Sequence, residues 1–308
     1  MGAAWTKTKR PPLALTKENV DDFMQQFDTI VSDCDGVLWT PLRGIPHVKE
    51  GLESLRAAGK KILFVTNNSV IPPFRKFERL GFAVQKNEVV YPAIAIGRYL
   101  EKIGFKKKAF VLGVEHFKDE LRSRGVAVVP DKRTSDLMEE DLGAMLRAIH
   151  EDTDIGAVIV DLDVNLTFMD LVKATNHLKR PDCMFLVGAT DSFVTFDEGK
   201  ILLGPGHFIR TLEECSGRKA ELIGKPGPMM VSEYLQEIHN LNMDRTIFMG
   251  DSLVQDMGVA NACGMKKLLV LSGMTQLKDL ETCDPELLPD YYIDSIGDLP
   301  ALLGQRGA

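Results

Sequence analysis

Cysteine is scarce in this chain of 308 residues: Cys34, Cys183, Cys215, Cys263 and Cys283 are an odd number with no C-x-x-C pair. That excludes a disulfide framework and a zinc knuckle and points to a reducing, cytoplasmic setting. Histidine is nearly as sparse. His47, His116, His150, His177, His207 and His239 show no ligand spacing, so a histidine-based metal centre has no support. No apolar run approaches the ~18 residues of a membrane span, which excludes a membrane partner. Basic charge is also lacking. The formal net charge is −7, and the one basic cluster, Lys106, Lys107 and Lys108, has no interleaved aromatics, so a nucleic-acid partner is not expected. Repeats and low-complexity tracts are absent. What remains is 44% hydrophobic and 26% charged, the composition of a folded globular protein with a length for roughly two domains of about 150 residues.

From Thr29 onward, apolar runs of strand length alternate with stretches of helical period, the pattern of βαβ units and a parallel sheet. The fold class is therefore α/β. Strands are expected at Thr29–Ser32, Lys61–Val65, Glu221–Ile223, Thr246–Met249 and Lys267–Leu271, all near-continuously apolar and read as central strands of one sheet. Helices are expected at Val48–Ala58, Met230–His239 and Asp256–Cys263, each stopped by Gly or Asn. A second series, with strands near Phe110–Leu112, Val126–Val129, Ala157–Val160 and Met184–Val187 and a helix on Phe168–Leu178, reads as a domain inserted into the first. The expected organisation is a tail over 1–24, a core over 25–108, an inserted domain over 109–203 with Gly204-Pro205-Gly206 at its exit, and the rest of the core over 204–308. In the tail, Lys7, Lys9 and Arg10 faintly suggest a presequence, but Pro11 and Pro12 break the helix one would need.

Directly after the first buried run stands Asp33-Cys34-Asp35-Gly36-Val37. In an open parallel sheet the ligand site lies beyond the carboxyl ends of the strands, where both acids fall. Alternation along an extended segment turns Asp33 and Asp35 one way and Cys34 the other, so Cys34 reads as packing. A lone D-x-D is weak: Asp161-Leu162-Asp163 also follows an apolar strand, though without the glycine. What distinguishes the first copy is its company. Thr66-Asn67-Asn68-Ser69, Gly224-Lys225-Pro226 and Gly250-Asp251-Ser252, with Asp256 five residues past Asp251, also follow expected strands. Each alone reads as a turn, a loop or a helix cap. Together they make a cluster in which Asp33, Asp35 and Asp251 need a counter-cation, since like charges about 4 Å apart repel by about 4 kcal/mol at an effective dielectric of 20. An all-oxygen donor set suits Mg²⁺, with Lys225 supplying further positive charge for a phosphoryl group.

Asp33-x-Asp35-Gly36-Val37, Thr66-Asn67-Asn68, Gly224-Lys225-Pro226 and Gly250-Asp251-x₄-Asp256 resemble the four ordered motifs of the haloacid dehalogenase superfamily. The likeness is closest to its 4-nitrophenyl phosphatase-like branch, and stretches such as Gly36-Val37-Leu38-Trp39 and Arg79-Leu80-Gly81-Phe82 extend it from about Phe27 to Leu303. The resemblance implies a Rossmann-like core with an inserted α/β cap of the C2 type that takes part in homodimerisation. It also implies a Mg²⁺-dependent phosphatase acting on small phosphorylated metabolites, such as 2-phosphoglycolate-like, glycerol phosphate-like or aryl phosphates. On it, Asp33 is the nucleophile that becomes an aspartyl-phosphate and Asp35 the acid and base. Thr66, Asn67, Asn68 and Lys225 hold the phosphoryl group. The metal is held by Asp33, the backbone carbonyl of Asp35, and Asp251, with Asp256 behind them or as a further ligand.

The parts that choose the substrate depart from the branch. Val70-Ile71-Pro72-Pro73-Phe74 stands where a Lys-Ser-Arg-like stretch is usual, Ser252 where an arginine is usual, and Asp191–Phe196 lacks the histidine of pyridoxal phosphate phosphatases. In that cap loop, Phe193 and Phe196 read equally as a stacking surface or as core filling. These departures motivate a second reading, a phosphate-binding regulatory paralogue with little or no turnover.

Overall fold

A computed structural model of the chain describes residues 11–40, 43–130, 143, 149, 152–195 and 200–304. Lys7, Lys9 and Arg10 of the expected tail, His150 and Phe196 lie outside them. Along the chain come β1 (Leu13–Ala14), β2 (Thr29–Ser32), β3 (Lys61–Val65) and β4 (Val89–Val90). Then follow β5 (Lys108–Leu112), β6 (Ala127–Val128), β7 (Ile155–Val160), β8 (Met184–Val187), β9 (Phe193–Thr195), β10 (Ile201–Leu203) and β11 (Glu221–Leu222). The last are β12 (Thr246–Gly250), β13 (Lys266–Val270) and β14 (Tyr291–Ile293).

Two compact units are built from these. The first comprises Met1–Thr66, Pro73–Val90 and Lys225–Ala308, and the second Asn67–Pro72 and Tyr91–Gly224. The second is thus inserted into the first, and it takes in more chain on either side than 109–203. The helices Pro92–Lys102 and Gly206–Ser216 belong to it, as does β11.

In the first unit a parallel sheet runs β1-β14-β13-β12-β2-β3-β4. β2 is central because its alternate residues are apolar on both faces: Ile30 and Val31 are fully buried, and Ile30 pairs with Ile62 on one side and Ile247 on the other. Burying such side chains is worth about 1.5–3 kcal/mol each. The helix Val48–Ala57 buries Val48, Leu52 and Leu55, leaves Glu50, Glu53 and Arg56 exposed, and stops before Gly59 at φ 74°. The expected helix Met230–His239 opens as a π-helical segment, Met230–Leu235, and closes as an α-helical turn, Gln236–His239, before Asn240 in the left-handed region.

The second unit holds its own parallel sheet, β11-β8-β7-β5-β6, and an antiparallel pair, β9 and β10. Its core gathers Leu112, Val158, Val160, Phe185 and Val187 under the helix Phe168–Leu178, whose Thr167 and Asp170 form a capping box. The expectation of five central strands in one sheet is corrected here. Glu221–Leu222 is an edge strand of the second sheet, paired with Leu186 and Val187. Its short apolar stretch has the same appearance as a core strand, and its partner lies too far back in the chain for local pattern to reveal.

Candidate active site

Strand register brings the acids together. Ser32 pairs with Met249, and the Asp33 N–H continues the ladder to the Met249 carbonyl at 2.8 Å, so Asp33 leaves β2 beside the point where β12 runs out into Asp251. Both acids are buried, as is Asp256 in the first turn of the helix Asp256–Ala262. One oxygen from each of Asp33, Asp251 and Asp256 can be chosen so that all three lie within 4.8 Å of one another, the one such group of metal-ligating side chains among the described residues.

Lys225 enters this cluster from the chain after β11. Its Nζ lies 2.6 Å from Asp33 Oδ1 and 2.7 Å from Asp256 Oδ1, and the side chain is 3% exposed. Burial by itself would lower the lysine pKa, but the charges of Asp256 and Asp33 overcome that and raise it, so the ammonium stays charged. The second oxygen of Asp256 accepts the backbone N–H groups of Asp251 at 3.0 Å and Ser252 at 2.9 Å. Asp256 therefore ties the lysine to the loop that carries Asp251. Ser252 also accepts the Gln255 N–H on its hydroxyl at 3.1 Å, in the turn that leads into the helix Asp256–Ala262, whose own N-cap, Gln255, makes no side-chain cap bond.

The Asp251 carboxylate is seated by its surroundings. Its Oδ2 accepts the Met274 N–H at 2.7 Å. A Cβ at Gly36 or at Gly273 would run into this carboxylate, and Gly36 in addition holds φ 81°, a conformation other residues rarely adopt. That accounts for the glycine after the D-x-D. Burial, reinforced by Asp256, pushes the Asp251 pKa up to about 7, and the same two causes push Asp33 well above the ordinary carboxylate range against the pull of Lys225. Buried carboxylates with raised pKa values, all oxygen donors and no histidine or thiolate among them, fit a hard divalent cation, whose charge would reverse both shifts.

Asp35 leans elsewhere. Trp39 Nε1 donates to its Oδ1 at 3.0 Å, Lys76 Nζ lies 2.8 Å from the same oxygen, and the Thr66 hydroxyl makes a long 3.4 Å contact to Oδ2. Thr66 itself is buried, its N–H bonded to the Val90 carbonyl. Asn67 and Asn68 belong to the second unit, where Gly224 stands beside Asn67. Cys34 is fully buried in the core of the first unit, and burial pushes its thiol up, with Asp33 and Asp35 adding to the effect. His207 is exposed on its helix and pairs with Arg210. The other D-x-D has no such company: Asp161 accepts the N–H groups of Leu162 and Ala189, and Asp163 lies 3.9 Å from Lys118, all within the second unit.

Sequence reasoning missed Lys76 and Trp39. Lys76 lies between Arg75 and Arg79 in a short basic helix, Pro73–Arg79, and nothing local tells the buried cation from its neighbours.

Profiles of two families match the chain: haloacid dehalogenase-like hydrolase over residues 30–127 and HAD-hydrolase-like over residues 222–299. Glycerol-3-phosphate phosphatase of Rattus norvegicus is 33% identical across 94% of this chain and 95% of its own length. The chain belongs to the haloacid dehalogenase superfamily. Another relative in this superfamily, 4-nitrophenylphosphatase of Schizosaccharomyces pombe, is 34% identical over 90% of this chain and 95% of its own. The crystal structure of 4-nitrophenylphosphatase from Thermotoga maritima superposes with a TM-score of 0.75 at 25% identity, covering 91% of this chain and 98% of that one. The protein is thus a haloacid dehalogenase-type phosphatase, a phosphoric monoester hydrolase, with a Rossmann-like core and an inserted α/β cap. No helix among its described residues is long and apolar enough to cross a membrane.

Proposed function

We propose that this phosphatase hydrolyses small organic phosphomonoesters through an aspartyl-phosphate on Asp33, with Mg²⁺ as its cation. The observation that carries the reading is the Lys225 ammonium held between Asp33 and Asp256 beside the Asp251 carboxylate. An Asp33 oxygen attacks phosphorus in line, the bond from phosphorus to the ester oxygen breaks, and Asp35 gives its proton to the departing alcohol. Asp35 then takes a proton from water as that water attacks the aspartyl-phosphate, and the Asp33–phosphorus bond breaks to release inorganic phosphate. Lys225 neutralises charge on the phosphoryl oxygens and braces Asp33. Thr66, and next along the chain the Asn67 and Asn68 amides, supply donors to those oxygens. Asp33, Asp251 and the Asp35 carbonyl are the ligands assigned to Mg²⁺, which supplies Lewis-acid charge to the phosphoryl group when bound. Asp256 serves as the anchor of Lys225, since both its oxygens already accept hydrogen bonds.

The names of the two curated relatives favour glycerol phosphate-like and aryl phosphates as substrates, with 2-phosphoglycolate-like esters the remaining class. A cytoplasmic homodimer formed through the cap completes the proposal. The test is phosphate release from 4-nitrophenyl phosphate and glycerol 3-phosphate with Mg²⁺ and with EDTA. Asp33→Asn is expected to lower kcat by about a thousandfold or more and to abolish the phosphoryl adduct seen by mass spectrometry of acid-quenched enzyme. Mg²⁺-dependent turnover persisting in Asp33→Asn removes the nucleophile assignment. A wild type that binds phosphate yet turns over no ester favours the regulatory reading motivated by Val70–Phe74.

A further inference from the structure

We propose that Lys76 is a positioning residue for the acid–base step: with Trp39 it holds one oxygen of Asp35, so that the carboxylate plane is fixed and the other oxygen faces Thr66. This rests on Asp35 acting as the acid.

The two oxygens of Asp35 have different surroundings. Oδ1 receives both Lys76 Nζ at 2.8 Å and Trp39 Nε1 at 3.0 Å. Oδ2 faces the Thr66 hydroxyl, which belongs to the phosphate-binding set proposed above. Two donors on one oxygen of a carboxylate fix its plane and leave the other oxygen as the one that exchanges a proton with the leaving group.

Lys76 is not a surface lysine that happens to reach an acid. It is 5% exposed, and its Nζ sits 4.9 Å from the centre of the Trp39 ring. The indole is itself wedged edge-on against Phe77 at 4.8 Å and Phe82 at 5.8 Å, and Phe77 packs on Phe64 of β3. The donor pair is thus seated against the core of the first unit, in which Trp39 is buried. An apolar side chain facing Trp39 would pack here without the cost of burying an ammonium. The charge is directed at Asp35, which is 35% exposed and could otherwise turn toward solvent.

Loosening a proton donor costs most when the leaving group needs the proton most, and the test uses that. kcat/KM is measured for phenyl phosphate, whose leaving group is basic, and for 4-nitrophenyl phosphate, whose leaving group departs with little protonation. Lys76→Met is expected to lower it by about 10–100-fold on phenyl phosphate and by less than about threefold on 4-nitrophenyl phosphate. Trp39→Phe keeps the ring packing and removes the second donor, so it is expected to show the same selectivity with a smaller loss. It carries the test alone if Lys76→Met fails to fold by circular dichroism. Adding Lys76→Met to Asp35→Asn is expected to cost less than about a further twofold, because the oxygen it serves no longer belongs to an acid. Equal losses on the two esters in the folded variants overturn the proposal. If Asp35→Asn itself shows no selectivity between the esters, the acid assignment fails. If Asp35→Asn is selective and neither Lys76→Met nor Trp39→Phe is, only the positioning role falls.

Discussion

Lys225 answers two buried carboxylates at once, and that arrangement sets what its removal would do. Asp33 and Asp256 share the ammonium at 2.6 and 2.7 Å in a region almost without solvent. Deleting the cation leaves negative charge buried with its partner gone, the case in which breaking a pair costs far more than the pair contributes. Lys225→Met is therefore expected to destabilise the fold by about 3–5 kcal/mol in urea unfolding as well as to abolish turnover. A variant that lost activity with an unchanged unfolding midpoint would show that the lysine is not needed to hold the two acids. At this scale the sequence was informative for a reason: residues whose chemistry is unusual for a strand end, two acids and a glycine after Thr29–Ser32, stand out against an apolar background. Lys76 had no such contrast, because a buried lysine and an exposed one look alike until the fold closes over one of them.

Elements explain why the acids meet. β2 and β12 are parallel neighbours in register at Ser32 and Met249, so the first polar residues past each strand come out at one edge. The loops beyond are kept tight by glycine. At Gly36 a side chain would need both a rare backbone conformation and the space taken by Asp251. Gly36→Ala is thus expected to displace the Asp251 carboxylate and to raise the Mg²⁺ concentration for half-maximal activity by tenfold or more, about 1.4 kcal/mol of lost binding. An unchanged Mg²⁺ titration would mean that Asp251 does not need this seat. Central strands were legible because burial on both faces leaves an unbroken apolar run. β11 misled for the same reason: Glu221-Leu222-Ile223 looks like a core strand, and only its pairing with β8 assigns it to the other sheet.

The stability of the molecule as a whole carries a pH signature from a residue outside the acidic cluster. Asp161, at the end of β7, is buried, and desolvation pushes its pKa up to about 7 against the pull of two backbone N–H bonds. A carboxyl that is neutral when folded but titrates near 3.8 when unfolded binds more protons in the native state between those values, so stability falls as pH rises from about 4 to about 7. The loss is at most about 4 kcal/mol, the free energy that separates titration near 3.8 from titration at about 7. Unfolding curves of wild type and Asp161→Asn are expected to converge near pH 4 and to separate by pH 8, with the variant relatively more stable there. Parallel curves would place the proton elsewhere. By itself the sequence determined the α/β class, the inserted unit and the motifs that carry the superfamily likeness, because hydrophobic period and residue chemistry are local properties that one chain displays directly. Only the tertiary structure decided which strand joined which sheet, which lysine was buried on Asp35 and which of the acids share Lys225, because those depend on register and burial among segments far apart in the chain.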